Sequence, residues 1–162
     1  MKYGKKYIYK IEVQFEDCDM QNIAHHPNLL CYLERARIKA LEEENIFYSD
    51  MLDDNIGFVM SDISIKFIKP TKFKDTIYVI TEVIACYKHS IKIYQTINTT
   101  KPNIKKKLIE QDNPIIHAAL RISIIDVKTV IPINDNHTIF NKLNYINCNE
   151  SKKLFFKSPL IL

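Results

Sequence analysis

Four long runs rich in β-branched and aromatic residues fill most of the chain after Gly57 and constrain its fold most strongly. They lie at residues 57–70, 75–88, 89–100 and 114–127. Runs of this length and composition are typical of β-strands. One alternating segment and one helical pattern precede them. The order of strand, long helix and four strands predicts an α+β domain, with one helix packed on a curved antiparallel sheet of five to six strands.

The two segments before these runs have clear periodicities. Residues 7–15 alternate between apolar and polar side chains, which predicts a half-buried strand. The pattern in residues 27–45 has Pro27 at a first helical position and predicts the long helix. Its apolar residues extend beyond a narrow stripe, so we expect the helix to be largely enclosed. The stripe consists of Leu29, Leu33, Ala36 and Ala40, with Leu30, Arg37 and Leu41 beside it. A weaker helical turn is predicted at 48–54, and the four strands are expected in meander-like succession.

Length and cysteine usage restrict the class of protein. A chain of 162 residues is about one domain, so we predict a single unit over 1–162. The four cysteines show no CxxC spacing, which argues against a structural zinc site and a disulfide scaffold. The first residues lack the continuous apolar segment of a signal peptide, and no run approaches a membrane span of roughly 20 apolar residues. We therefore expect a cytoplasmic protein with no membrane span.

The net charge of +4 is mild. The densest basic run contains Lys101, Lys105, Lys106 and Lys107. Nucleic-acid-binding modules usually interleave such residues with aromatic side chains, and this run has none. We expect a solvated hairpin tip and no nucleic-acid partner. Steering of an anionic small molecule, such as a phosphorylated thiol carrier, is the alternative.

The stretch FEDCDMQNIAHHPN at residues 15–28 concentrates reactive side chains just before the predicted helix. Asp17, Asp19, His25 and His26 could serve as metal ligands, but their spacing matches no known short metal motif. They could also cap the helix by satisfying its free amides. In a third interpretation, a carboxylate beside the helix attacks a carbonyl or activates water. The first-turn amides would then stabilise the developing oxyanion.

A nucleophilic thiol is the fourth interpretation of this stretch. Cys18 could form a dyad with His25 or His26. However, Cys18 lies between Asp17 and Asp19, and two neighbouring carboxylates would raise the pKa of its thiol. The residue types alone leave the carboxylate, the cap and the thiol open.

The longer stretch FEDCDMQNIAHHPNLLCYLERARIKAL resembles the opening signature of the hotdog-fold acyl-CoA thioesterases, the 4-hydroxybenzoyl-CoA thioesterase family. It is most similar to the Tol-Pal-associated acyl-CoA thioester hydrolase subgroup. Asp19 matches the second Asp of the pattern, His26 matches the His/Tyr position, and ERAR at 34–37 matches letter for letter. GFVMSDISIKFIKPTKFKDTIYV resembles the family's second and third strands. The resemblance covers about 8–143, with a predicted short helix at 137–143 and a tail at 144–162.

The resemblance implies a fold, a chemistry and an assembly. The expected reaction is hydrolysis of an acyl-CoA, or an acyl-carrier-protein, thioester without a metal or cofactor. Asp19 is implied as nucleophile or general base, and His26 as a helper through its backbone amide and its imidazole. A homodimer or homotetramer is implied, with the Asp19 loop of one subunit facing residues 58–64 of another. The residues implied in substrate binding are Phe58, Val59, Met60 and Ser90.

Two other functions on the same fold remain open. A non-catalytic acyl-CoA-binding protein would bind the ligand without turning it over. A hydratase or dehydratase would act on enoyl-CoA. The chain departs from the family pattern at Met20-Gln21-Asn22, where a glycine is usual. Asn tolerates the left-handed conformation, so Asn22 is predicted to replace that glycine.

Four further expectations concern side chains elsewhere in the pattern. Leu29 stands where an aromatic residue is common, which puts the acyl preference in doubt. Glu34 is expected to pair with Arg35 or Arg37 and to hold the helix to the sheet. Tyr32 and Phe58 could line an acyl tunnel, although core positions are the simpler interpretation. His89 and His117 are expected as core or edge histidines of the strands.

Overall fold

The computed structural model describes residues 4–87 and 89–133. Its strands and helices follow the predicted order. They are β1 (Lys6–Glu12), α1 (His26–Glu42), α2 (Tyr48–Asp53), β2 (Ile56–Phe67), β3 (Thr76–Tyr87), β4 (Ser90–Asn98) and β5 (Pro114–Asp126). Two short 3₁₀ turns lie at Phe15–Asp17 and Leu108–Glu110. The predicted α+β class, the long helix and the turn near 48–54 are confirmed.

One antiparallel sheet contains the five strands in the order β1-β3-β4-β5-β2. Strands β3, β4 and β5 form the expected meander. The prediction is wrong for β2, because β2 pairs with β5 and β1 takes the position beside β3. The connection at 68–75 therefore crosses from one edge of the sheet toward the other. Within the described ranges, strands β1 and β2 are the two edges.

Helix α1 packs on the inner face of this sheet through the predicted stripe. Leu29, Leu33, Ala36 and Ala40 are each at most 3% exposed. The expectation of a largely enclosed helix is wrong for this chain alone, because Leu30 is 38% exposed. The helix thus keeps one uncovered side, next to the β2 edge of the sheet.

Strand β1 is shorter than predicted. It ends at Glu12, and Phe15 begins the first 3₁₀ turn with 75% of its surface exposed. The cause is local, since the amide of Val13 donates to Asp75 O at 3.0 Å and the sheet register ends at Glu12. The chain leaves the sheet there and starts the loop that carries Asp19.

The basic segment between β4 and β5 is more structured than a free hairpin tip. Lys6 Nζ donates to Ile104 O at 2.8 Å and to Lys106 O at 2.5 Å, and Leu108 is buried. Lys101, Lys105 and Lys107 are exposed, as predicted for a solvated segment. The predicted helix at 137–143 and the tail at 144–162 lie outside the described residues. Within 4–87 and 89–133, no helix is long and apolar enough to span a membrane.

Candidate active site

The loop between β1 and α1 folds back on itself as a narrow hairpin. The amide of Asp19 donates to Ile23 O at 2.9 Å, and the amide of His25 donates to Asp17 O at 2.8 Å. Asn22 at its tip has φ of +61°. The prediction that Asn22 replaces a glycine in the left-handed region is therefore confirmed. The hairpin brings the Asp17–Asp19 segment alongside the residues that start the helix.

The carboxylate of Asp19 is exposed and is held by its own loop. Its Oδ1 accepts from the amides of Gln21 at 2.8 Å and Ile23 at 3.2 Å. Within the described ranges, its Oδ2 has no hydrogen-bond partner. One oxygen therefore fixes the carboxylate, and the other is available to water or to a substrate carbonyl carbon.

Within the part of the chain that the structure describes, the start of α1 leaves a single unpaired amide. The amides of Asn28 and Leu29 both donate to His25 O, at 2.9 and 3.2 Å, and Pro27 has no N–H. The amide of His25 is paired with Asp17 O. Among the described residues nothing accepts from the His26 amide. Because a helix N-terminus attracts negative charge, this N–H is suited to stabilising an oxyanion.

The imidazole of His26 lies against the end of β2. Its ring packs edge to face on Phe67, with 4.6 Å between the ring centroids. The ring of His25 is exposed, and its side chain makes no capping hydrogen bond. His26 is thus the residue that links the helix start to the β2 edge.

Asp17 has a supporting position beneath the loop. It is 8% exposed, and its Oδ2 accepts from Tyr32 Oη at 2.5 Å and from the Gln14 amide at 3.1 Å. Its backbone oxygen also accepts from Asn28 Nδ2 at 3.1 Å. Burial and the bond to Asp17 raise the pKa of Tyr32. Asp17 therefore joins the Asp19 loop to two turns of the helix.

Removing the Tyr32 hydroxyl is expected to destabilise the fold. Tyr32→Phe leaves the buried carboxylate of Asp17 without its shortest hydrogen bond, at a cost of about 1.5–3 kcal/mol in the free energy of unfolding. Tyr94→Phe is the matched control, because Tyr94 Oη is buried and has no partner among the described residues. Urea unfolding should show a lower free energy of unfolding for Tyr32→Phe and an unchanged one for Tyr94→Phe. Equal effects would contradict the role of the Asp17–Tyr32 bond.

Cys18 is held as a thiol. Its Sγ donates to Gln14 O at 3.6 Å, and burial, followed by the charge of Asp17, raises its pKa. The expected direction of the pKa shift is confirmed, and burial contributes more to it than either Asp17 or Asp19 does. This environment disfavours the thiolate that a cysteine nucleophile requires. In the part of the chain that the structure describes, no three His, Cys, Asp or Glu side chains are grouped as metal ligands.

A cavity of about 90 Å³ opens between the second half of α1 and the sheet. Phe58 and Met60 line it, whereas Val59 alternates to the other face and is 45% exposed. Its other lining residues are Glu34, Arg37, Leu41, Tyr48, Ile91, Ile93 and Ile122. Ser90 is buried at the start of β4, paired with Ser123, on the face away from α1. Within one chain, Phe58, Met60 and Ser90 lie far from the Asp19 loop. They are at one end of the sheet, whereas the His26 contact with Phe67 is at the opposite end of β2.

The expected ion pair of Glu34 is not formed. Within the described ranges, Glu34 comes within 4.0 Å of neither Arg35 nor Arg37. Instead, Arg37 Nη1 donates to Gln95 Oε1 at 2.9 Å. Gln95 is fully buried, and its Nε2 donates to Leu33 O at 2.9 Å and Thr81 Oγ1 at 2.7 Å. Arg37 thus connects helix and sheet as expected, but through an amide.

Sequence reasoning missed Gln95, although a signal existed. The inward positions of β4 read Ile91, Ile93, Gln95 and Ile97, so one polar residue interrupts an apolar row. A polar residue at such a position requires buried partners. Of the two strand histidines, His117 is buried, and burial lowers its pKa. His89 Nδ1 lies 2.8 Å from Ile133 O. Both fit the expected structural positions.

The fold and the loop together define a hotdog domain of the thioesterase type. Residues 21–104 match the family model described as the Thioesterase superfamily, and the chain belongs to this superfamily. The matched range contains His26 but begins just after Asp19. The predicted hotdog fold is confirmed.

Individual proteins are similar to this chain at lower coverage or identity. An Aquifex aeolicus protein, named provisionally as an esterase, is 35% identical over 69 residues. The match covers 43% of this chain and 54% of that protein, so the chain spans about half the length of this curated relative. A DHNA-CoA thioesterase from Staphylococcus aureus has a TM-score of 0.73 at 18% identity, with 96% and 98% of the two chains covered.

A 1,4-dihydroxy-2-naphthoyl-CoA thioesterase from Synechocystis is similar in structure. It has a TM-score of 0.71 at 13% identity, and the match covers 86% of this chain and 96% of that chain. At such identities, these structural likenesses show the fold alone.

Proposed function

We propose that the protein hydrolyses an acyl-CoA thioester to a free acid and a thiol, with Asp19 and His26 as catalytic residues. The observation that supports this most is the pairing of an anchored carboxylate with an unpaired amide. Among the described residues, Asp19 has Oδ1 fixed by two amides and no partner for Oδ2, and the His26 N–H is the one amide at the start of α1 without an acceptor. An acyl-carrier-protein thioester presents the same reacting atoms and is included in the proposal.

The His26 amide acts on the carbonyl oxygen in either version of the chemistry. As attack proceeds, this oxygen gains negative charge, and a donor at a helix N-terminus stabilises it. In the general-base version, Asp19 Oδ2 takes a proton from water, whose oxygen bonds to the carbonyl carbon. The tetrahedral intermediate then collapses, the C–S bond breaks and the thiolate leaves. In the nucleophilic version, Oδ2 bonds to that carbon, the thiolate leaves, and water then cleaves the acyl-aspartate anhydride. The leaving sulfur takes up a proton in both versions.

The exposed edge of β2 supports assembly into a homodimer. This edge carries large apolar side chains that water contacts in the single chain, namely Val59, Met60, Ile63 and Phe67, between 38% and 45% exposed. Antiparallel pairing of β2 with its copy would cover them and remove an open sheet edge. A homotetramer built from two such dimers is compatible with this edge pairing.

Such pairing would also complete the site. If β2 pairs with its copy about its middle, the beginning of one strand lies beside the end of the other. The cavity wall at Phe58 and Met60 of one subunit would then lie next to the His26–Phe67 contact of its partner. We propose that the acyl chain crosses this junction. Val59 lies on β2 and is proposed to contact the substrate at the junction between the paired strands. Ser90 is proposed to contact the thiol arm of the substrate.

Two finer assignments accompany this function. Membership of the Tol-Pal-associated subgroup is proposed on the ERAR match at 34–37. A cytoplasmic location is proposed on the scattered cysteines.

One assay separates hydrolysis from the other functions. Purified protein is incubated with short, medium and long acyl-CoAs and with an enoyl-CoA, and free thiol, free acid and hydrated product are quantified. The proposal expects equal amounts of thiol and acid. Hydrated product without thiol would indicate a hydratase, and binding without turnover would indicate an acyl-CoA-binding protein. Loss of turnover with a chelator would indicate a metal hydrolase.

A further inference from the structure

Arg37 is a charged side chain with too few partners for its surroundings. It lines the cavity beside α1 and is half-buried. A guanidinium has five N–H donors, and within the described ranges only one bond is formed, to the neutral amide oxygen of Gln95. Burial lowers the pKa of Arg37, which reflects incomplete solvation of its charge. The charge of Glu34 opposes this shift, but Glu34 forms no ion pair with Arg37 within the described ranges. The remaining donors of this partly desolvated cation therefore favour an anionic partner.

The buried amide of Gln95 fixes the direction of that charge. Gln95 donates from Nε2 to Leu33 O and Thr81 Oγ1, so its Oε1 points at Arg37 Nη1. The remaining donors of Arg37 are left for the cavity. Because a guanidinium fork matches the two oxygens of a carboxylate, this arrangement suits a carboxylate better than an alkyl chain end.

We propose that this cavity takes the distal end of a short acyl chain that terminates in a carboxylate, and that Arg37 binds that carboxylate. The inference rests on the proposed function, because it names the substrate class of the same site. The substrate would be the monothioester of a short dicarboxylic acid.

The size of the cavity restricts the chain to a few carbons. Its volume is about 90 Å³, whereas a known apolar cavity that accepts benzene measures about 150 Å³. Part of its wall is apolar and includes Phe58, Met60 and Ile122. A short methylene chain would pack on that wall, and its charged end would lie at Arg37.

The length of the acyl chain determines whether Asp19 of the same subunit or of the partner would act on this substrate. Arg37 lies about 16 Å along α1 from His26 at the rise of an α-helix. A short acyl chain bound at Arg37 cannot extend that far within one subunit. In the proposed dimer, the cavity of one subunit lies beside the His26 start of the other, so the partner's Asp19 would attack the thioester.

Glu34 is the group that opposes this assignment most directly. It lines the same cavity and carries the charge of the proposed ligand. However, Glu34 is exposed, so water screens its charge, and it makes no ion pair with Arg37 within the described ranges. Tyr48, also in the cavity wall, has a pKa raised by burial and remains a neutral donor.

The test compares succinyl-CoA with butyryl-CoA, which have the same chain length and differ in the terminal carboxylate. For the wild-type protein, we expect kcat/KM to favour succinyl-CoA by at least about tenfold. Arg37→Gln should abolish this preference by lowering succinyl-CoA turnover. Arg35→Gln, a neighbouring exposed arginine on the same helix, should keep it. Glu34→Gln should keep or increase it.

Two measures separate failure of this inference from failure of the function or of folding. Binding of both thioesters to Asp19→Asn by calorimetry reports the preference without turnover. If no thioester is hydrolysed, the binding ratio with and without Arg37→Gln still decides the role of Arg37. Arg37→Lys, which keeps the charge but not the fork, should fold if Arg37→Gln does not and should show an intermediate preference. A wild-type preference for butyryl-CoA, or an unchanged preference in both Arg37 variants, would overturn the inference.

Discussion

Asp19→Asn is expected to lower kcat for thioester hydrolysis by about 10²–10⁴-fold, the range for loss of a positioned acid–base group. The reason is chemical, because an amide neither takes a proton from water nor attacks a carbonyl. The loop itself should survive, since Asn retains the Oδ1 that accepts from Gln21 and Ile23. Thiol release under saturating acyl-CoA gives kcat, and thermal unfolding reports the fold.

The matched control for this variant is Glu16→Gln. Glu16 is an exposed carboxylate in the same loop and lies three residues before Asp19. Among the described residues it makes no hydrogen bond to the proposed site, so kcat should stay within about twofold of the wild-type value. If Asp19→Asn kept full activity, or if both variants lost activity equally, Asp19 would not be the catalytic carboxylate.

Ile63→Glu is expected to prevent dimer formation and to abolish activity with it. Ile63 lies in the middle of the exposed β2 edge and is 38% exposed in the single chain. In the isolated chain a glutamate can extend into water there, so the fold should remain. In a β2–β2 dimer its carboxylate would be buried without a partner. That costs about 3–5 kcal/mol, or between two and four powers of ten in the dissociation constant.

Ile109→Glu controls for the change in side chain. Ile109 is 55% exposed in the segment between β4 and β5, far from the β2 edge. Light scattering should show dimers for this variant and monomers for Ile63→Glu. Monomers of Ile63→Glu with full thioesterase activity would show that the site is complete within one chain.

Most helix and strand positions could be predicted from local sequence patterns, because they depend on interactions between residues close in the sequence. The stripe at Leu29, Leu33, Ala36 and Ala40 predicts the buried face of α1, and all four are buried. The left-handed Asn22 follows from the conformations that Asn tolerates. Strand positions follow from β-branched runs in the same way. These features depend on neighbours within a few residues, and one sequence reveals them.

The features that one sequence did not reveal depend on distant partners. Which strand β2 pairs with is decided by the 68–75 connection and by the place that β1 takes, and neither has a local signature. The bond from Tyr32 to Asp17 joins residues on a loop and a helix. The pairing of Arg37 with Gln95 replaced the expected ion pair because a buried amide came closer than Glu34. Such contacts appear only once the chain is folded.

For the candidate site, the sequence indicated the residues but not their hydrogen bonding. The motif singles out Asp19 and His26 by type and spacing. Among the described residues, one oxygen of Asp19 and the amide of His26 have no partner. Both features result from the hairpin at Asn22 and the missing N–H of Pro27. Neither feature can be predicted from the sequence motif alone.

A mixed dimer tests most directly whether Asp19 of one subunit acts beside the β2 wall of the other. One chain carries Asp19→Asn, and the second carries Met60→Trp, which fills the cavity. Each variant alone should be inactive as a homodimer. Purified through two different affinity tags, the mixed dimer contains one site with both residues intact, so about half of the wild-type activity is expected. If each site were built from a single chain, both would be defective, and an inactive mixed dimer would contradict the account.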